Sequence, residues 1–154
     1  MHKLQAVNLA DLAKEVCIDW IPKALQRKMI LSFETETEQL FLKGDEILLK
    51  ELLANLLDNA IAYGYERGNI AVKVVSQPQL SLIVEDDGMG IAEAELDKVF
   101  ERFYRPANSP GEGCGLGLAI IKEIADLHHA RISLTRVNEK GGLRVEINFS
   151  LEKI

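Results

Sequence analysis

A chain of 154 residues is long enough to bury one substantial core and too short to make a second domain a natural expectation, so residues 1–154 are read as one domain. With 47% hydrophobic and 27% charged residues and a formal net charge of -6, it has no global attraction for nucleic acid or an anionic membrane. It shows neither a signal peptide nor an apolar run of about 18 residues, and Cys17 and Cys114 form no metal or redox pair, which fits a reducing cytoplasm.

In chain order, Asn8 is placed to cap a helix running through Leu9, Leu12, Val16 and Trp20 toward Lys28, with Pro22 as a kink or break. Short strands are expected at Ile30 to Glu34 and Gln39 to Leu42. Gly44 and Asp45 close the connection and cap a second helix, which Gly64 and Gly68 end. In that helix Glu51, Asn55 and Asn59 recur every four residues through Leu48, Leu49, Leu52, Leu53, Leu56, Leu57, Ala60 and Ile61. The spacing stacks two carboxamides on one face of a helix that is otherwise apolar. From this segment alone two readings stand, amides at a solvated edge or amides facing a polar ligand.

Ile70 to Ser76 and Leu80 to Glu85 are β-branched and aliphatic, and Gln77-Pro78-Gln79 separates them as a hairpin turn does. Glu93 to Phe103 reads as a short helix, and Tyr104 to Gly113, with its prolines and glycines, as a loop. Gly115 to His128 returns to helical period; His128 and His129 end that helix, where a cation suits the dipole, and are read as structural. Ala130 to Val137 and Leu143 to Leu151 flank the turn 138–142, and the second run alternates Val145, Ile147, Phe149, Leu151 against Arg144, Glu146, Asn148, Ser150. That alternation predicts a sheet with one buried face, and helices gathered on it make a two-layer α/β sandwich with a mainly antiparallel sheet.

Two glycine segments carry the chemistry. Asp86-Asp87-Gly88-Met89-Gly90 leaves a strand with carboxylates and glycines; this is either ordinary turn chemistry or a carboxylate that accepts from an exocyclic amine while backbone approaches a flat ring. Gly113-Cys114-Gly115-Leu116-Gly117-Leu118 feeds a helix start, where free N–H groups and the helix dipole favour anions, or else serves as a hinge. Spacing excludes a P-loop, the dinucleotide fingerprint, whose third glycine would fall on Leu118, and the protein-kinase signatures.

The asparagine helix, DxGxG, the aromatic segment Phe100-Glu101-Arg102-Phe103-Tyr104-Arg105 and GxGLGL, in that order, resemble the N, G1, F and G2 boxes of the catalytic domain of two-component sensor histidine kinases. These share a superfamily with gyrase, heat-shock-chaperone and mismatch-repair ATPases, and the resemblance covers residues 45 to 150. It implies the Bergerat α/β sandwich, with ATP and Mg²⁺ as ligands. Carried over, Asn59 and Asn55 would hold Mg²⁺, Asp86 would bind the adenine amine, and Tyr63, Ile91 and Leu118 would line the base pocket. Gly88 and Gly90 would let backbone approach the ring, while Gly113, Gly115, Leu116 and Gly117 would bring lid backbone to the phosphates and Arg105 would reach the γ-phosphate region.

In the gyrase-like ATPases a water-activating glutamate stands where this chain has Asn55, which favours transfer to a histidine over hydrolysis. The acceptor histidine is expected on a dimerisation domain of the same protein outside these residues, with a response regulator downstream and the domain itself cytoplasmic in a membrane-anchored parent. A basic residue frequent in the family is replaced by Ala62, and Met89 stands for a frequent proline. Two alternatives remain: a serine kinase of the anti-sigma kind, and a nucleotide-binding regulatory domain without transfer.

Overall fold

The computed structural model describes residues 4–88, 116–137 and 141–149. Along these the order is β1 (Gln5–Asn8), α1 (Leu9–Gln26), β2 (Ile30–Thr35), β3 (Phe41–Gly44), α2 (Glu46–Tyr63), β4 (Asn69–Val75), β5 (Leu80–Asp86), α3 (Leu116–Leu127), β6 (Ala130–Thr135) and β7 (Leu143–Phe149). A five-stranded sheet has the order β2-β4-β5-β7-β6; β2 and β4 run parallel and every other neighbour pair is antiparallel. The three helices supply Leu12, Leu53, Leu57 and Ile121 to a core completed by Val72, Leu82, Ile147 and Phe149 from the sheet. The two-layer sandwich expected from the sequence is therefore present.

Asn8 caps α1 as expected and does more than that. Its Oδ1 accepts from Ala10 N at 3.2 Å and Leu40 N at 3.1 Å, while its Nδ2 donates to Glu38 O at 2.8 Å. One side chain thus starts a helix and pins the distant β2–β3 connection. Pro22 does not break α1, which continues to Gln26. The hydrogen bond it forgoes would run to the carbonyl of Ile18, a residue 56% exposed, where water can serve instead.

β1 was not expected; it pairs antiparallel with β3, which lies a little later than the predicted Gln39 to Leu42. Four residues with only Val7 buried give no periodicity to read. The predicted hairpin of β4 and β5 and the alternation of β7 are both found: Val145, Ile147 and Phe149 are buried. On the opposite face Glu85 accepts from Arg144 Nη1 at 2.7 Å and lies 3.4 Å from Lys73 Nζ. The helix and loop predicted across 93–113 lie outside the described residues.

His128, just after α3, is structural as expected, but through hydrogen bonding rather than charge. Its Nδ1 donates to Ile124 O at 2.8 Å, and its Nε2 accepts the Asp45 N–H at 3.0 Å. Those roles require the neutral ring. The imidazole stands edge-on to Phe149, 6.5 Å between centroids, and a methyl group at Gly44 would come within 2.9 Å of it. α3 is thereby tied to the first turn of α2.

Candidate functional site

The apolar positions of α2 bury Leu49, Leu52, Leu53, Leu56 and Leu57, and Asp45 opens the helix by accepting from Leu48 N at 3.0 Å. The polar stripe lies along the margin of that buried face. Glu51 is exposed, whereas Asn55 and Asn59 are half-buried. Asn55 Nδ2 donates to Glu51 O at 2.9 Å, so its amide is oriented by its own helix. Asn59 differs: its Nδ2 is sealed from solvent and has no hydrogen-bond partner among the described residues. An amide donor left so costs about 1–3 kcal/mol.

Beyond Asn59 the helix ends at Tyr63, which is half-buried, and Gly64 is its C-cap. Gly68 belongs to the following turn, where its N–H meets Tyr65 O at 2.9 Å, and does not end the helix as expected. No cation belongs to the last turn of α2, and Ala62 is exposed. Arg27, from the end of α1, donates through Nη1 to Ile61 O and so brings a positive charge to the negative end of the α2 dipole.

The end of α2 meets the exit of β5 at Gly88. A Cβ there would lie 2.8 Å from Tyr63 O, 2.9 Å from Gly64 Cα and 3.0 Å from Asp86 Oδ1, so only glycine allows this approach. The two carboxylates of that exit have different work. Asp87, exposed, accepts from Asn69 N and Asn69 Nδ2, both at 2.9 Å, and fastens the start of β4. Asp86 is 9% exposed, and its Oδ1 accepts the Gly88 N–H at 2.8 Å. Burial pushes its carboxyl up from 3.8 to about 6, helped by the charge of Asp87 and opposed by the N–H groups of Gly88 and Leu143.

Of the other predicted residues, Leu118 is buried in the core through α3, and Leu116 and Gly117 lie in the first turn of that helix. Gly90, Ile91, Arg105, Gly113 and Gly115 lie outside the described residues. The structure therefore brings together Tyr63, Asp86 and Gly88, with Asn55 and Asn59 on the helix leading there. It adds Gly142, read from the sequence as an ordinary turn residue, whose N–H donates to Gly88 O at 2.7 Å. The signal that could have found it is the paired glycine directly before a strand.

The family model described as histidine kinase-, DNA gyrase B- and HSP90-like ATPase matches residues 44–153. The chain is 37% identical over 149 residues to the sensor protein kinase PmrB of Pseudomonas aeruginosa, covering 96% of itself and 31% of that protein. It is also 37% identical over 151 residues to the sensor histidine kinase YkoH of Bacillus subtilis, covering 96% of itself and 32% of the relative. The chain thus spans about a third of the length of the curated relatives it matches. Among solved structures, the catalytic domain of the histidine kinase ThkA superimposes with a TM-score of 0.82 at 29% identity, covering 96% of both chains. Because the family model spans residues 44–153, well over half of the chain, this chain belongs to the histidine kinase-, DNA gyrase B- and HSP90-like ATPases, and the relatives that align along nearly all of it are sensor kinases.

Proposed function

We propose that this domain binds Mg²⁺·ATP between α2 and the β5 exit and donates the γ-phosphoryl group to a histidine on a dimerisation domain of the same protein, for onward transfer to a response regulator. The observation that carries the reading is the unpartnered, buried Nδ2 of Asn59, one turn before the contact of α2 with the Asp86–Gly88 turn. A buried amide without a partner is a place where a ligand completes the hydrogen bonding.

The donor set suits magnesium. Among the described residues no group of three or more His, Cys, Asp or Glu side chains is placed to hold a metal ion. Mg²⁺ needs no such cage, because it takes one or two protein oxygens and completes its shell with water and phosphate. Asn59 and Asn55 would offer amide oxygens, and the bond from Asn55 Nδ2 to Glu51 O already fixes the orientation of that amide. When bound, the metal neutralises phosphate charge.

Asp86 accepts the exocyclic amine of adenine. That role needs the ionised carboxylate, which predominates above about pH 6. Gly88 keeps the turn close to Tyr63, whose ring lies beside the base. Asn55 stands where a hydrolytic ATPase needs a base; an amide takes no proton, so water is not activated from this position and an external nucleophile is favoured. Ala62 leaves one phosphate contact unmade, and Arg105 and the glycines Gly113, Gly115 and Gly117 are the residues assigned to that end of the nucleotide.

No helix among the described residues is long and apolar enough to cross a membrane. We place the domain on the cytoplasmic side of a membrane-anchored parent, as the two-component reading requires.

Calorimetry of the 154-residue chain with a nonhydrolysable ATP analogue is the direct test. Binding is expected with magnesium and much weakened without it, and Asp86→Asn is expected to erode the preference for ATP over GTP. Absence of binding with magnesium present refutes the proposal.

A further inference from the structure

We propose that the β6–β7 hairpin, through Gly142, positions the Asp86 carboxylate and so sets the preference of this site for adenine. This rests on the reading of Asp86 as the adenine acceptor. Gly142 lies far from Asp86 in sequence but against it in space. Its N–H donates to Gly88 O at 2.7 Å, and the residue after it, Leu143, pairs with Asp86 in the β5–β7 ladder. The two N–H groups that favour the ionised form of Asp86 are those of Gly88 and Leu143. Gly142 places both, the first by a hydrogen bond and the second by chain continuity.

Only glycine can do this at that point. Gly142 has φ +79°, in the left-handed region, and a Cβ would lie 2.8 Å from Asp86 O and 2.9 Å from Val137 Cβ. A side chain therefore either lifts the hairpin off the turn or displaces Asp86 itself. In both cases the carboxylate loses N–H support, and its charged neighbour among the described residues, Asp87, only raises its affinity for a proton. Adenine then meets a carboxyl that is misplaced and less often ionised.

The experiment compares wild type, Gly142→Ala and Gly142→Asn, using calorimetry with nonhydrolysable ATP and GTP analogues across pH 5 to 8. Asn tolerates the backbone angle but keeps the Cβ contact, so it separates strain from displacement. ATP affinity is expected to fall about tenfold in both variants, the worth of one hydrogen bond, and the ATP-over-GTP ratio by the same factor. The pH midpoint for ATP binding should move upward from the wild-type value.

His128→Phe serves as the control, because it destabilises the fold away from the site. If it loses ATP affinity in parallel with Gly142→Ala, the effect is general destabilisation and the proposal fails. In wild type, amide exchange at Gly142 should slow further when ATP is added, a readout that needs no variant to fold. Unchanged exchange, or folded variants with unchanged ATP-over-GTP preference, overturns the role of the hairpin while leaving nucleotide binding intact. A wild-type chain that binds no ATP overturns both.

Discussion

At the N-terminal end of α2, Asp45 accepts from Leu48 N and its own N–H is taken by His128, whose other ring nitrogen is bonded to Ile124 O. At the C-terminal end, Asn59 Nδ2 is enclosed with no partner, and the neighbouring turn holds Asp86 in surroundings that resist its charge. Both ends bury polar groups under the same apolar core. At one end the hydrogen bonds close and the groups fasten α2 to α3; at the other the Asn59 donor is left open and Asp86 is held where burial opposes its charge. Under the proposed function, the open end is where the fold gives up stability for recognition.

The largest expected effect exploits the cost at Asp86. Its folded-state carboxyl titrates at about 6, above the ordinary 3.8, so the folded state holds the proton more tightly than the unfolded one. Stability from this group is present below pH 3.8 and is lost as pH rises toward 6. That separation corresponds to about 3 kcal/mol. Asp86→Asn does not titrate, so between pH 4 and pH 7 its stability should gain on wild type by about that amount in urea unfolding, while its ATP preference falls. If the two stability curves stay parallel, burial of Asp86 carries no cost and the contrast between the ends breaks.

Asn59→Leu sharpens the same contrast. Removing an orphaned amide in favour of an apolar side chain should raise stability by about 1–3 kcal/mol while lowering Mg²⁺-dependent ATP affinity by about 10–100-fold. A variant that loses both stability and binding would mean that the amide is already satisfied in the folded domain.

His128→Phe is the opposite case. The aromatic ring is kept beside Phe149, but the Asp45 N–H loses the ring nitrogen that accepts it, and Ile124 O keeps only the backbone N–H of residue 128. A loss of about 2 kcal/mol is expected, with ATP affinity unchanged. A loss of ATP affinity would mean that general destabilisation reaches the nucleotide end, and the contrast between the two ends would break.

What could be read from the sequence follows the range over which each signal acts. The caps Asn8 and Asp45, the stripe of α2 and the alternation of β7 are local patterns, and each is found where the sequence placed it. β1 was missed because its pairing partner, β3, is what makes it a strand. His128 reads as structural, but the group that donates to its Nε2, the Asp45 N–H, lies at the cap of another helix and no helix-end rule points to it. Gly142 escaped for the same reason. Its importance lies in a contact with Gly88, invisible in the turn it belongs to. Asn59 and Asn55 were spotted as a pair, yet only the fold separates them, one bonded to its own helix and the other with a buried donor left over.

The smallest effect tests whether adjacency to Asp86 is enough to matter. Asp87 sits beside it but is exposed, and both of its oxygens are occupied by Asn69 at the start of β4. Asp87→Ala removes two hydrogen bonds at a solvated site, where water can replace the acceptor, so a loss of about 1 kcal/mol is expected. It also removes the negative charge that raises the Asp86 carboxyl, so that carboxyl should titrate slightly lower and ATP binding should persist to slightly lower pH. Measured side by side, Asp86→Asn gains stability toward neutral pH and loses selectivity, whereas Asp87→Ala loses stability and keeps selectivity. If Asp87→Ala abolished the preference for ATP over GTP, the division of labour between the two carboxylates would be wrong, and the adenine contact would have to be sought on the exposed side of the turn.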